Sequence, residues 1–464
     1  MHRPARLKRF FGALSPGAWV IAGLAVLSSI GVALIRVKPA RGLQFWIFAN
    51  LHQNVYRPVI AEWNRRHPGE EVQLTLVSGA ALQQRMMSAF LSGTPISDLI
   101  EVERYTAGEA FAGPLDQVGF SDLTDRLRQQ GLMERINTPS FSPWTSRGHV
   151  FGIPHDVHPV LLIYRADLVE AAGIDVSRIE TWDDYFRILA PLMKSLDGSG
   201  RIDRYLINGA PTEPFPVEML LLEAGGTFFD ADERPAFNTL FNARFLARLV
   251  TWYTGPHQVA RSLDYFSASG HQMLVDGLTV GLLCPDWYAG KLKAEIPALA
   301  GKLKAMPLPA WEKGGRRTSA WGGTMLAIPK SSRRQEADWD FAQFLYLSPQ
   351  VAEALYRETG IVSPVKANWS DPIYDRPDFY FCGQPLGRLY LDQAPNVPQR
   401  SSSPYVMQAT TLFDDCLIDL TRYADRNRRY DPEALVPEAR RILDRAQASL
   451  QAQISRNVFL APPP

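Results

Sequence analysis

The chain lacks the short sequences that mark most enzymes. It contains no G-x-S-x-G nucleophile elbow, no Walker A loop, no H-E-x-x-H and no G-x-G-x-x-G. Excess charge is missing too: 49 basic and 48 acidic residues leave a formal net charge of +1. A nucleic-acid surface needs a clustered excess of Lys and Arg, so that class of partner is not expected. Cysteine is scarce. Cys284, Cys382 and Cys416 have no C-x-x-C spacing for a metal. They allow one disulfide at most, between Cys382 and Cys416, or else buried free thiols. Internal repeats, low-complexity blocks and long flexible linkers are absent.

What is present is length and apolar content. With 464 residues, 46% of them apolar, the chain exceeds a single ordinary core and suits two lobes. Its start stands apart. Arg3, Arg6, Lys8 and Arg9 precede Phe10–Ile35, which carries no charge. Ala18–Ile35 alone is long enough for a bilayer, which takes roughly 17–25 residues. A secretory h-region is shorter, about 7–15 residues, and neither a small-x-small cleavage site nor a lipid-anchor Cys follows. The expectation is an uncleaved single-pass transmembrane anchor with the bulk of the chain outside the cytoplasm. A cleaved signal is the alternative.

Beyond it the hydrophobic pattern alternates between strand and helix. Gly42–Phe48, Val72–Val77 and Asp98–Val102 read as strands, with helices around Val55–Trp63 and Leu82–Leu91 between them. This βαβαβ rhythm predicts a parallel sheet covered by helices. Ligands then sit beyond the carboxyl ends of the strands, here Asn50–Asn54, Ser78–Ala80 and Glu103–Thr106. A second run begins at Gly152–Ile174, where Pro154-His155-Asp156-Val157-His158-Pro159 leads into the apolar run Val160–Tyr164. Thr181 is a candidate N-cap with Asp184 as its capping-box partner, opening a helix to Leu196. Leu278–Leu283 is a strand ended by Pro285, and Trp321–Pro329 another.

Two clusters invite a chemical reading. His155-x-x-His158 has metal-site spacing, but Pro159 follows and no third ligand is evident, so no metal is expected. Glu101 and Glu103 have the look of a glycosidase acid and base, yet paired acids are common by chance, and no catalytic residue is assigned. The more informative feature is aromatic residues at strand ends and loops: Trp46, Tyr105, Trp287, Trp311, Trp321 and Tyr405. Trp46, inside a strand, reads as core. Rings beside acids, Asn and His suit a sugar, whose apolar face stacks while its hydroxyls hydrogen-bond. Asn50, Trp287 and Trp321 are candidates on that ground.

The order of motifs resembles the extracellular solute-binding proteins of ABC importers, specifically the sugar-binding group typified by maltose-binding protein. Gly93-Thr94-Pro95 to Asp98-Leu99-Ile100 is similar to that family's G-x-x-P-D-[IV]-[IV] strand. Ile153-Pro154 to Tyr164, then Asp167-Leu168 and Thr181-Trp182-Asp183-Asp184, resembles its first lobe crossing and T-W-[ED]-[ED] helix. Glu213-Pro214-Phe215 with Glu223-Ala224-Gly225-Gly226, Gly281 to Trp287, Gly322–Lys330 with the following Trp339–Leu347 and Ser348-Pro349, and Pro395-Asn396-Val397-Pro398 complete the series.

The resemblance implies an α/β, two-lobed, type II periplasmic-binding-protein-like fold behind the N-terminal helix, closing like a hinge, with no cofactor and no catalysis. The expected partition is 42–157 plus 284–327 for lobe 1 and 158–283 plus 328–464 for lobe 2, after an anchor at 1–41. It also implies ligand contacts at Glu103, Arg104, Tyr105, His158 (in place of a family carboxylate), Glu213, Phe215, Trp287 and Tyr405. The implied function is extracytoplasmic capture of a carbohydrate for ABC permease subunits. A membrane-anchored sensor serving a receptor or kinase is the alternative, and a carbohydrate-active enzyme the third. The His at 158, and a Pro at 404 where the family has a Trp, point away from simple maltodextrin, and Ser370–Pro398 is a Pro-rich insert.

Overall fold

Alternation sets the first strand. Leu43, Phe45 and Ile47 of β1 (Leu43–Ile47) are fully buried, while Gln44 and Trp46 are half-buried on the other face. A computed structural model of the chain describes residues 15–34, 42–212, 214–262 and 264–457. The remaining strands are β2 (Val72–Leu76), β3 (Leu99–Glu103), β4 (Thr145–Ser146), β5 (His149–Val150), β6 (Ile153–Pro154) and β7 (Val160–Arg165). They continue with β8 (Tyr205–Asn208), β9 (Ala260–Arg261), β10 (Thr279–Pro285), β11 (Leu303–Pro307) and β12 (Thr324–Ala327). One sheet runs β2-β1-β3-β12-β6 and a second β11-β7-β10-β8-β9, with β4-β5 as a small ribbon. β1 lies parallel to β2 and β3, as the βαβαβ rhythm predicts, and β12 returns antiparallel to β3. Each sheet is the centre of one lobe.

The chain passes between the sheets on two adjacent segments. One runs from β6 through residues 155–159 into β7. The other runs from Thr318 to Gly323 into β12. They pair antiparallel at Pro159 and Ala320, with His155 N–H on the Thr324 carbonyl at 3.0 Å and Trp321 N–H on the His158 carbonyl at 3.3 Å. β7 is buried at every position because β10 and β11 flank it and helices cover it.

The strand pairing differs from the expected partition. β11 pairs with β7, so residues 303–307 belong to the second sheet rather than the first. Trp339, Phe341 and Leu345 of the Gln335–Leu347 helix pack with β1 in the first lobe's core, not the second's. Periodicity identifies an element but does not say which sheet it joins. The insert at 370–398 folds as short 3₁₀ turns and the Leu386–Gln393 helix on the second lobe's core. Cys284, Cys382 and Cys416 are free thiols.

Local signals mostly hold. Thr181 accepts from the Asp184 N–H and Asp184 reaches back to the Thr181 N–H, a full capping box. That helix stops at Leu189, well short of Leu196, because Pro191 has no N–H to continue it. The strand expected over Trp321–Pro329 is only Thr324–Ala327, since Gly322 and Gly323 take φ of 99° and 138°.

The N-terminal unit contains the helix Pro16–Leu34, which has no charged residue and exposes Val20, Ile21, Leu24 and Leu27. Its side chains are described only as far as Gly31. Among the described residues no helix is long and apolar enough to cross a membrane.

The helix Asp286–Glu295 lies hard against the end of Pro349–Thr359. A Cβ at Gly290 would stand 2.0 Å from the Thr359 carbonyl oxygen, which is backbone and has nowhere to go. Gly290→Ala is therefore expected to destabilise the fold by about 1–3 kcal/mol. A lower urea midpoint with an unchanged slope is the check, and an unchanged midpoint would count against this packing.

Candidate functional site

A cavity of about 380 Å³ lies where the ends of the first sheet, the crossing segments and the second lobe meet. Its apolar walls are Phe48, Phe266, Trp287 and Trp321, and its polar ones include Glu103, Arg104, Tyr105, Asp156, His158 and Glu218. Local chemistry sets these positions. β3 ends at Glu103, whose carboxylate accepts the Tyr105 N–H at 2.9 Å and caps the Arg104–Glu109 helix. Pro285 closes β10, and the next helix opens with Asp286 and Trp287 in its first turn. The Trp287 indole N–H donates to the Trp321 carbonyl at 3.0 Å. Its ring lies parallel to Phe266 (centroids 6.2 Å, 11°) and edge-on to Trp321 (6.1 Å, 82°). Gly322 permits this approach, because a Cβ there would sit 2.9 Å from the Trp287 indole nitrogen.

A buried cation lies beneath the cavity. His158 places Nδ1 2.7 Å from Asp286 Oδ1 and Nε2 2.7 Å from Asp156 Oδ2. Carboxylates offer only acceptors, so both ring nitrogens carry hydrogen. Against the cost of burial, Asp156 first and Asp286 next push the His158 pKa up to about 9. Burial opposes the Asp156 charge, and His158 overcomes it to hold that carboxyl well below its usual range. Asp286 is further fixed by the N–H groups of Trp287 (2.8 Å) and Val362 (2.9 Å). His158 itself has φ 55°, a left-handed backbone that costs on the order of 1 kcal/mol.

A second ion pair spans the lobes. Arg104 Nη1 and Nη2 donate to Glu218 at 3.0 and 2.6 Å, and the Tyr105 hydroxyl donates to the same carboxylate at 2.8 Å. Burial works against the Glu218 charge, but Arg104 holds its pKa below the ordinary carboxylate value. Glu103 has no such partner on its side chain, and burial raises it to about 7. Behind the glycine pair, buried Arg400 donates to the Gly322 carbonyl. Burial, then the charge of Arg104, lowers it to about 10.

From Asp156 the hydrogen bonding continues into the first lobe. His155 Nδ1 is 3.0 Å from Asp156, and His155 Nε2 is 2.8 Å from the Tyr56 hydroxyl. Glu101 Oε1 accepts from Tyr56 at 2.6 Å and Tyr346 at 2.7 Å, and Oε2 faces His52 Nδ1 at 2.8 Å. His52, Glu101 and His155 thereby bring one ligand-type atom each within 4.8 Å of one another. The sequence paired His155 with His158, but Asp156 stands between those rings, and the convergent third residue comes from β3. Glu101 does not open into the cavity beside Glu103, because it is 0% exposed and its oxygens are taken by Tyr56, Tyr346 and His52.

Of the expected site residues, Glu103, Arg104, Tyr105, His158, Trp287 and Trp321 line the cavity. Asn50 is exposed, and its neighbours Phe48, Ala49, Leu51 and His52 line the wall instead. Tyr405 is the N-cap residue of the Val406–Asn427 helix, and Met407 reaches the cavity in its place. Glu213 and the side chain of Phe215 lie outside the described residues. Sequence reasoning passed over Glu218, Asp286, His52 and Phe266. Glu218 did leave a signal: a lone acid in the apolar run Val217–Leu222 must find a partner when buried.

The chain is similar to known proteins along most of its length. The model of the family described as bacterial extracellular solute-binding protein matches residues 49–352. An arabinooligosaccharide-binding protein of Halalkalibacterium halodurans is 24% identical over 421 residues, covering 88% of this chain and 90% of that protein. A second, from Bacillus subtilis, is 23% identical over 327 residues, covering 68% and 72%. Among solved structures, the sugar-binding protein MalE of Xanthomonas citri superposes with a TM-score of 0.70 at 18% identity, over 89% of this chain and 99% of that one.

The His158 cation has a consequence for stability. Its folded pKa of about 9 exceeds the ordinary 6.5, so its contribution is complete below pH 6.5 and is lost as pH rises through 9. Wild-type protein is expected to lose a few kcal/mol over that window. His158→Gln should be less stable at pH 6 and flatter above it. Parallel curves for the two proteins would contradict a charged His158.

Proposed function

We propose, from the premise that the chain belongs to the bacterial extracellular solute-binding protein family, that it captures a carbohydrate between its two lobes and hands it unchanged to the permease subunits of an ABC importer. The observation that carries this reading is the cavity itself: about 380 Å³, set at the crossing of the two sheets, with indole rings beside acidic and basic hydrogen-bonding groups. That volume falls within the roughly 300–1,000 Å³ of small-molecule sites. Trp287 supplies a flat face for the apolar side of a sugar ring. Glu103, with an oxygen not committed to a strong cation, accepts hydroxyl hydrogens. Arg104, Tyr105 and Glu218 already pair with one another across the cleft, so they shape the far wall and tie the lobes in the closed arrangement. The name that both relatives carry, arabinooligosaccharide-binding, supports an oligosaccharide as the ligand.

The lobes are proposed to hinge at residues 155–159 and 318–323. Anchoring by the N-terminal helix belongs to the same reading and rests on the uncharged stretch Phe10–Ile35. It would keep the bulk of the chain outside the cytoplasm, beside the permease.

Two experiments test these proposals. Thermal-shift screening of the protein from Gly42 onward against pentose and hexose oligosaccharides should raise the melting temperature with at least one of them. Trp287→Ala should abolish that shift while moving the empty protein's melting temperature little. A variant that unfolds easily, at the roughly 3–5 kcal/mol cost of a deleted core Trp, yet still binds would make Trp287 a core residue. For the anchor, full-length protein should remain with membranes after a salt wash and retain Met1 or His2. A soluble product beginning near Ala40 would mean a cleaved signal.

A further inference from the structure

The buried network below the cavity presents a hydrogen-counting problem. Asp156 accepts from His158 and is paired with it as an ion, so it has no hydrogen to give, and the 3.0 Å contact with His155 Nδ1 needs that nitrogen protonated. The Tyr56 hydroxyl has one hydrogen and two short neighbours, Glu101 Oε1 at 2.6 Å and His155 Nε2 at 2.8 Å. Tyr346 already donates its own hydrogen to Glu101 Oε1 at 2.7 Å. If Tyr56 serves Glu101, then His155 Nε2 faces Tyr56 with a lone pair, or takes a second hydrogen and becomes another buried cation beside His158. If Tyr56 serves His155, its oxygen opposes a carboxylate oxygen at 2.6 Å.

We propose that His52, Glu101 and His155 form a binding site for a divalent transition-metal ion of the zinc class. With a cation held by His155 Nε2, Glu101 Oε2 and His52 Nδ1, and the Tyr56 hydroxyl turned off the Nε2 lone pair that it now faces at 2.8 Å, every group in the network is satisfied. Tyr56 and Tyr346 both donate to Glu101 Oε1, and His155 Nδ1–H donates to Asp156. His52 keeps its one hydrogen on Nε2. The His155–Asp156 contact is the carboxylate–histidine support that turns the other ring nitrogen toward a metal. The three ligand atoms lie within 4.8 Å of one another. Tetrahedral zinc with bonds of about 2.0–2.2 Å sets its ligand atoms roughly 3.3–3.6 Å apart, so the set must draw in by up to about 1.4 Å, a side-chain adjustment. Two imidazoles and one carboxylate suit zinc, cobalt or nickel and do not suit calcium or magnesium, which prefer all-oxygen shells. His52 lines the cavity, so the cleft is the entry path, and a three-residue set leaves a fourth position for water. The site is independent of which sugar, if any, the cavity takes.

The test uses protein without a histidine tag, stripped with chelator and dialysed. Zinc is titrated by calorimetry and retained metal is measured by elemental analysis. One equivalent should bind and raise the melting temperature, while magnesium and calcium do neither. Cobalt should give the intense visible absorption of a low-coordinate nitrogen and oxygen site. His155→Gln and Glu101→Gln should each weaken zinc binding at least tenfold. Tyr56→Phe should keep the metal, because Tyr56 is a neighbour of the site and not a ligand. No bound equivalent in the wild type, an aqueous-type cobalt spectrum, or undiminished binding in both ligand variants would overturn the proposal. Should the ligand variants fail to fold, the wild-type cobalt spectrum and Tyr56→Phe still decide it. Loss of zinc from a folded Tyr56→Phe protein would also count against it.

Discussion

The structure depends on one charge held in the wrong place for comfort. His158 is a cation buried between two carboxylates at the point where the chain passes from one sheet to the other. Removing a single partner from such an arrangement strands an unpaired charge, at a cost on the order of 3–5 kcal/mol. Asp156 belongs to the crossing itself, whereas Asp286 begins a helix of the second lobe and also receives the Val362 N–H from the segment that follows the first lobe's last helix. The three side chains therefore tie the crossing segment to the start of the Asp286–Glu295 helix, and their attraction is available to offset the left-handed backbone of His158.

That geometry produces the cavity. With His158 fixed, the paired segment Thr318–Gly323 runs directly over it, and Gly322 lets the Trp287 indole close down on the Trp321 carbonyl. The charges around the cleft are largely matched: Arg104 with Glu218, His158 with Asp156 and Asp286. A cleft whose ions are already paired offers rings and a few acceptors to its ligand, which suits a neutral polyol better than an ion. Glu103 is the exception, and the absence of a strong cation on its side chain is what lets burial raise it to about 7.

Much of this was legible in the residues, and the parts that were not share a cause. Elements could be read where a local rule acts: alternation in Leu43–Ile47, the Thr181 capping box, Pro285 ending a strand so that Trp287 emerges beyond it. The order of motifs gave the two-lobed architecture. What local rules do not carry is long-range pairing. Nothing in Leu303–Pro307 says that it will lie beside Val160–Arg165. Glu218 is recognisable as a buried acid but not as the partner of Arg104, 114 positions away. His155 and His158, three apart in sequence, were read as one pair, yet Asp156 divides them between two separate networks. Even the helix that ends at Leu189 erred only where Pro191 was discounted.

A crystal structure of the chain grown with the oligosaccharide that it binds tests the central claim most directly. Sugar density between the two sheets, with a ring face against Trp287, a hydroxyl on Glu103, and His158 still bridging Asp156 and Asp286, is the predicted result. A sugar bound elsewhere on the surface, or a bound state in which His158 has left both carboxylates, would contradict it.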